Sequence, residues 1–244
     1  MPFFYIPEFH ADTRQISIEG DEYHHIVHVF RHRENDTIQF TNGNGILGEA
    51  TIHSITKKQL TLEIPTYREF QQSTPPISVA FSLLRNKNDE WLVEKLTELG
   101  VKTLYPMVTA NSVRQPSHNP IEKFKKTAIS AIKQCENPWL PVIEEVRDLK
   151  DVLQVLKSRN IRPLVASEKD KNVFLPDVLP DKTEPVCLLI GPEGGFSSDE
   201  FALFEENHVA VYSLGNNILR AETAAISAVS QLLLQYLEQQ PNYI

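Results

Sequence analysis

The stretch LLIGPEGGFSSDE, Leu188 to Glu200, carries three signals in direct succession. Leu188-Leu-Ile190 closes an apolar run that begins near Pro185, as expected of a strand buried on both faces. Gly191, Gly194 and Gly195 then let backbone approach a ligand with no Cβ in the way. Ser197-Ser-Asp-Glu200 reads as a capping box, with the Ser197 hydroxyl accepting from the Glu200 N–H and the Glu200 carboxylate reaching back. The helix expected after it spans Ser198 to Glu206. Open parallel sheets build ligand sites from this order of strand, loop and helix. A phosphate cradle of the GxxxxGK[ST] kind needs a lysine, and this loop has none. It carries Glu193 instead, which suits a neutral or cationic ligand. A tight connection without a ligand is the plain alternative.

The same order recurs in SLGNNILRAETAA, Ser213 to Ala225. A strand expected over Val209–Leu214 ends at Gly215, and a long final helix is expected over Ala221–Leu237. Glu222 at that helix start is favoured by the helix dipole, whereas Arg220 is not. Arg220 therefore points to a task other than helix stability, with a salt bridge or a carbonyl clamp as the bland reading.

Outward from these loops, strand and helix patterns alternate. Strands are expected over Ile77–Leu84, Thr103–Val108, Arg162–Ala166 and Pro185–Ile190. Helices are expected over Asn88–Leu99, which Gly100 stops, and over Pro120–Cys135 and Leu149–Leu156. Such alternation implies an α/β fold, a mostly parallel sheet with helices on both faces. Both glycine loops would then open on the edge formed by the carboxyl ends of the strands.

The first 72 residues read differently. Thr37–Phe40, Ala50–His53 and Leu60–Ile64 alternate apolar and polar residues, and Asn42-Gly43, Asn44-Gly45 and Lys57-Lys58-Gln59 mark turns between them. Short strands with tight turns suggest a small β-barrel. QQSTPPIS, Gln71 to Ser78, reads as the linker, giving domains 1–72 and 73–244. GNGILG, Gly43 to Gly48, matches the dinucleotide fingerprint in letters, but Glu49–Ile55 after it alternates like a strand. Its glycines are read as hairpin turns.

EYHHIVHVFRHR, Glu22 to Arg33, spaces His24, His28 and His32 by four, so a helix would put them on one face. Three readings compete there: a metal site, a solvated surface helix, and a basic face joined by Arg31 and Arg33. His25 stands where HExxH has its glutamate, which removes the metalloprotease reading.

The chain has 244 residues, a formal net charge of −8 and a sequence pI near 5.5. An acidic balance argues against wholesale coating of nucleic acid but leaves room for a local basic patch. Two cysteines with no CxxC make neither a disulfide framework nor a zinc site. MPFFYIPEFH is not read as a signal peptide, and no apolar run is long enough to cross a bilayer. A cytoplasmic protein without a membrane partner or metal is expected.

Taken together, GPEGGFS and LGNNILRAETA closely resemble the SPOUT methyltransferases, the class with a deep trefoil knot. Within that class the match is to the family that makes N3-methyluridine in 16S ribosomal RNA. His25-Ile-Val-His-Val-Phe-Arg31 is similar to that family's H-I-x-x-V-L-R, and Lys95-Leu-Thr-Glu-Leu-Gly-Val101 to its K-x-x-E-L-G-V. Ala221 departs from the usual L-R-T-E-T, and Asn137 stands where the family often has arginine. The resemblance implies a PUA-like barrel ahead of a knotted methyltransferase domain. It also implies a homodimer acting on the small ribosomal subunit, with S-adenosyl-L-methionine as cofactor.

Carried over, the cofactor lies against Ala166, Ser167 and Glu168; Ile190, Gly191, Pro192, Glu193, Gly194 and Gly195; and Leu214, Gly215, Asn216, Ile218, Leu219 and Arg220. Arg220 is expected to stabilise charge on the uracil, Glu222 to orient it or take the proton, and Arg85 to contact RNA or base. His25, Arg31, Arg33, Lys123 and Lys126 are the expected RNA contacts. Two rivals remain: a ribose 2′-O-methyltransferase of the same class, and a non-catalytic ribosome-assembly factor.

Overall fold

The computed structural model describes residues 3–71, 76–85, 88–112, 120–169, 171–179 and 184–237. Half of the expected linker, 72–75, lies outside the described residues. The chain divides into two units, residues 1–72 with 129–140, and residues 73–128 with 141–244.

The first unit holds β1 (Phe3–Tyr5), β2 (Gln15–Glu19), α1 (Gly20–His24), β3 (Thr37–Thr41), β4 (Ile46–Ile55) and β5 (Gln59–Glu69). The strands form one sheet in the order β1-β3-β4-β5-β2. β1 runs parallel to β3, and the other pairs are antiparallel. Irregularities between Glu49 and Thr51 and between Ile52 and Ser54 break the β4–β5 register, and bulges of this kind sharpen the twist of a sheet. Phe4, Ile6, Phe9, Ile38, Phe40, Ile52, Leu60 and Leu62 are buried in its core. Each such side chain contributes about 1.5–3 kcal/mol by leaving water.

The GNGILG glycines do turn a hairpin. Gly43 and Gly45 have φ of 70° and 90°, and the buried Asn42 carboxamide oxygen accepts from the N–H groups of Asn44 (2.8 Å) and Ile46 (3.1 Å). Residues 129–140, which the sequence reading leaves with the second domain, meet this turn. The Gly45 N–H donates to the Pro138 carbonyl (2.9 Å), and the Leu140 N–H donates to the Gly43 carbonyl (2.8 Å). The Trp139 ring lies where a Cβ on Gly45 would be, 2.6 Å away. Lys133 adds an ion pair of 2.6 Å to the half-buried Glu22.

The histidine segment is not one helix. α1 ends at His24 and a single π-helical stretch covers His25–Val29. The wider turn changes the register, and Arg31 then takes φ of 61° and ends the helical path. His24 and His28 stay adjacent, with ring centroids 5.2 Å apart. His32 leaves them to pack edge-on against Phe4 and sits 3.4 Å from Asp36. Among the described residues, no group of three His, Cys, Asp or Glu side chains is placed to hold a metal.

The second unit contains β6 (Ile77–Ser82), α2 (Asn88–Glu98), β7 (Thr103–Val108), β8 (Val142–Ile143) and β9 (Arg147–Asp148). It continues through α4 (Leu149–Ser158), β10 (Arg162–Ala166), α5 (Leu175–Val178), β11 (Val186–Ile190), α6 (Ser198–Glu206), β12 (Ala210–Tyr212) and α7 (Ala221–Leu237). α3 (Ile121–Cys135) begins in this unit. The sheet order is β12-β10-β11-β6-β7-β8, with β9 also on β7, and every pair is parallel. Every residue of β6 and of β11 is buried, because both faces are covered. Ala80, Tyr105, Val165, Cys187 and Leu189 pack with Leu149, Val152, Leu153 and Leu156 of α4 and with Phe204 of α6. On the opposite face the Phe81 ring meets Phe124 of α3 at 6.0 Å, and α7 packs on β6 and β11. No described helix is long and apolar enough to cross a membrane.

Candidate active site

The strand order places the site. β10 leaves a gap beside β6 that β11 later fills, so the order of strands reverses there. Ligands of open α/β sheets bind beyond the carboxyl ends of strands at such a reversal. Because all the strands run one way, the loops after β6, β7, β10, β11 and β12 open on one edge.

The loops after β10 and β12 line a shared concavity. Ala166, Ser167 and Glu168 form one side, and Ser213, Leu214 and Gly215 with Asn217, Ile218 and Leu219 form the other. Gly215 has φ of 134°, and its N–H donates to the Ser213 hydroxyl at 3.2 Å. The Ser213 hydroxyl donates in turn to the Gly215 carbonyl at 3.1 Å. Lys171 fastens the loop after β10 to this one by donating to the Asn216 carbonyl (2.9 Å). Ile218 projects into solvent, 79% exposed. Tyr212, at the end of β12, is wholly buried, its hydroxyl has no hydrogen-bond partner, and burial pushes it far above the usual range.

The glycine loop after β11 is held from two sides. The Asn111 carboxamide donates to the carbonyls of Gly194 (3.2 Å) and Gly195 (3.0 Å). Gly195 takes φ of 66°, and a Cβ there would lie 3.6 Å from the Glu168 carboxylate, so this loop adjoins the one after β10. The capping box is present: the Ser197 hydroxyl accepts from the Glu200 N–H (3.2 Å), and Glu200 accepts from the Ser197 N–H (2.7 Å). The other Glu200 oxygen accepts from the Ala110 N–H (2.8 Å), so one helix cap also fixes the loop after β7.

The loop after β6 reaches both remaining carboxylates. The Arg85 N–H donates to Glu193 (3.3 Å), and the Asn88 carboxamide donates to Glu222 (3.2 Å). Glu222 is half-buried at the start of α7, while Arg220 is exposed and forms no ion pair among the described residues. Arg85 is exposed as well. In the sequence reading Asn88 is only the start of a helix, and Asn111 does not figure. An asparagine at a helix start or in a turn reads as local capping, and nothing in the chain order reveals a partner 134 or 83 residues away.

Of the expected RNA contacts, Arg31 and Arg33 are exposed in the first unit, and Lys123 and Lys126 are exposed on α3 in the second. His25 is partly exposed, 3.8 Å from Glu22.

A parallel sheet with glycine-bearing loops on one edge, preceded by a small β unit, defines a two-part α/β protein with a loop-built ligand site. The RNA methyltransferase domain family model matches residues 71–233, and the RNA methyltransferase PUA domain model matches residues 18–65. The chain belongs to the RNA methyltransferase family. It is 30% identical over 234 residues to the ribosomal RNA small subunit methyltransferase E of Rickettsia conorii, covering 94% of each chain. The fold matches that of a ribosomal RNA small subunit methyltransferase E from Neisseria gonorrhoeae bound to S-adenosyl methionine. The TM-score is 0.87 and the identity 23%, with 97% of this chain and 98% of that one covered. A methyltransferase structure from Legionella pneumophila, in complex with S-adenosylmethionine, aligns at 25% identity and a TM-score of 0.83. That alignment covers 95% of this chain and 96% of that one.

Proposed function

We propose that this protein methylates N3 of a uridine in 16S ribosomal RNA of the small subunit, with S-adenosyl-L-methionine as methyl donor. The observation that carries the reading is the convergence of the loops after β10, β11 and β12 on one sheet edge, where Arg220 is exposed and Glu222 is tethered by Asn88. The concavity, about 60 Å³, would take one part of the donor and suits it in kind. It pairs the polar Ser167, Ser213 and Asn217 with the apolar Leu214, Leu219 and Ala224, as an adenosine needs a polar edge and an apolar wall. Residues 166–168, 190–195 and 214–220 would hold it largely through backbone. When bound, the donor supplies an electrophilic methyl group on a sulfonium.

The chain's own residues then do three things. The loops fix the position of the methyl group, so that alignment supplies much of the rate. Arg220 faces the uracil oxygens and stabilises the negative charge that appears as N3 loses its proton. Glu222 receives that proton, directly or through water, or orients Arg220, while Asn88 holds one of its oxygens. The base reaches the site unpaired, since its N3 edge is otherwise engaged in pairing.

Arg85, His25, Arg31, Arg33, Lys123 and Lys126 are our choices for RNA contact. Domains 1–72 and 73–244 divide the work between holding RNA and transferring methyl, with the trefoil knot of the resembled class formed by the chain after β10. Cytoplasmic homodimers are expected. α2 and α7 pack on each other, and each leaves a large apolar side chain in solvent, Trp91 and Leu234.

The test is calorimetric titration with S-adenosylhomocysteine, followed by incubation with unmodified small subunits and mass spectrometry of the digested RNA. One binding site per chain and an N3-methyluridine product are expected. A 2′-O-methylated product would move the protein to the ribose-modifying rival. Absence of product with intact cofactor binding would favour the assembly factor.

A further inference from the structure

A second cavity, of about 360 Å³, lies on the first unit, and the methyl-transfer reading makes no use of it. Its size falls within the range of small-ligand pockets. Strand register explains its lining. Phe3 pairs with Gln39, Gln39 with Glu49, and Glu49 with Thr66, so these side chains form one row across β1, β3, β4 and β5. Leu47 and Arg68, paired with each other, form the next row on the same face. The alternate row, Phe4 and Phe40 with Gly48, faces the core. Phe70 and Glu136 close the cavity at its margin.

The lining is chemically mixed. Phe3 is buried and Leu47 half-buried, which gives an apolar floor, while Phe70 is 40% exposed. Arg68, Glu49 and Glu136 are exposed, and no ion pair among the described residues joins Arg68 to either carboxylate. Two carboxylates repel phosphate and call for N–H donors. An unspent guanidinium calls for adjacent acceptors, and an open aromatic ring calls for a π-face. A guanine base meets all three demands. It offers N1–H and N2–H₂ on one edge and O6 with N7 on another, the latter being the usual bidentate partner of arginine. Adenine lacks the second donor on its pairing edge, and the pyrimidines lack the O6/N7 pair.

We propose that this cavity binds an unstacked guanine of the RNA substrate, with the base on Phe70, Arg68 at O6/N7, and Glu49 or Glu136 at N1–H and N2–H₂. The proposal rests on the reading of the protein as an RNA-modifying enzyme. It adds a sequence-reading contact on the β unit, remote in sequence from the methyl-transfer loops. Single-stranded bases are commonly read this way, by an aromatic face and a polar edge.

The test is fluorescence anisotropy with labelled hexamers UUGUUU, UUAUUU and UUUUUU on the full chain, and with UUGUUU analogues carrying inosine or 7-deazaguanine. The guanine hexamer should bind about tenfold more tightly than the other two. Inosine, which lacks the N2 amino group, and 7-deazaguanine, which lacks N7, should each lose part of that preference. Phe70→Ala, Arg68→Gln and the double variant Glu49→Gln with Glu136→Gln should reduce it while leaving S-adenosylhomocysteine titrations unchanged. Equal affinity for the three hexamers, no binding of any, or a preference that survives Phe70→Ala and Arg68→Gln would overturn the assignment. A guanine preference without S-adenosylhomocysteine binding would instead count against the methyl-transfer reading and leave this site standing.

Discussion

Two glycine-rich loops in this molecule look alike as letters and do opposite work. Gly43-Asn-Gly-Ile-Leu-Gly48 turns β3 into β4 and is filled by its own chain, with the Trp139 ring against Gly45 and the Phe40 ring against Gly48. Gly191-Pro-Glu-Gly-Gly195 ends β11 at an open sheet edge and is held by side chains from other loops, Asn111 above all. In the first, absent side chains admit two aromatic rings at closer than contact distance; in the second, Gly191 admits the Phe196 ring and Gly194 admits Asn111 less tightly, and Gly195 has only the Glu168 carboxylate near it. The element after the glycines separates the two cases: a strand runs on through Gly48, whereas a capped helix comes after Gly195.

The sharpest way to break this contrast is at the open edge. Arg220→Ala should lower methyl transfer by about 10²–10³-fold, the usual loss when one donor to a developing negative charge is removed. S-adenosylhomocysteine affinity by calorimetry should stay near wild type if, as proposed, the loops hold the cofactor through backbone. A variant with near-normal turnover would strike Arg220 from the mechanism.

Next come the glycines themselves. Gly45→Ala places a Cβ 2.6 Å from the Trp139 ring at a φ of 90°, and Gly48→Ala drives one into the Phe40 ring. Each should cost about 1–3 kcal/mol of stability in urea unfolding, with cofactor affinity unchanged. Gly194→Ala meets Asn111, its Cβ at 3.1 Å and its Cγ and carbonyl oxygen at 3.7 and 3.8 Å, with no positive φ to strain. It should unfold much like wild type yet bind S-adenosylhomocysteine more weakly. If Gly194→Ala destabilised as much as Gly45→Ala while keeping cofactor affinity, the two loops would be structural alike.

These contrasts also mark what the sequence reveals. The inner strands β6 and β11 are legible because burial on both faces leaves a mostly apolar run in β6, broken by Ser78 and Ser82, and an unbroken one in β11, and α6 is legible because Ser197 and Glu200 spell out its cap. The sheet edge that gathers the glycine loops follows from alternation alone. The π stretch at His25–Val29 does not, since the apolar spacing of the segment fits an ordinary helix and His32 leaves the face only through one wider turn. The parallel pairing of β1 with β3 and the docking of Pro138 to Leu140 on the hairpin are non-local, and neither leaves a periodic trace. Asn88 on Glu222 is hidden for the same reason.

A smaller effect tests the helix after the open loop. Ser197→Ala removes the acceptor for the Glu200 N–H and should cost about 1 kcal/mol. Because Glu200 also accepts from the Ala110 N–H, hydrogen exchange at Ala110 should quicken with it. Unchanged exchange there would show that the cap and the loop after β7 are independent.

The smallest effect again contrasts the two units, through their acid sides. In the second unit, burial raises the Glu144 carboxyl, but Arg159 at 2.7 Å and Arg147 at 3.2 Å outweigh it and hold it below the usual range. In the first, the Arg33 N–H and then His32 hold the partly exposed Asp36 down. A carboxyl lowered by folding contributes stability above its unfolded value and loses it as pH falls through the folded one. Both units should therefore weaken on acidification below the ordinary carboxylate range. Glu144 sits deeper than Asp36, so Arg159→Ala should flatten the acid limb of stability against pH more than Asp36→Asn does, because solvent screens the exposed pair. Equal flattening by the two variants would mean that the Arg159 pair is screened as fully as the surface one.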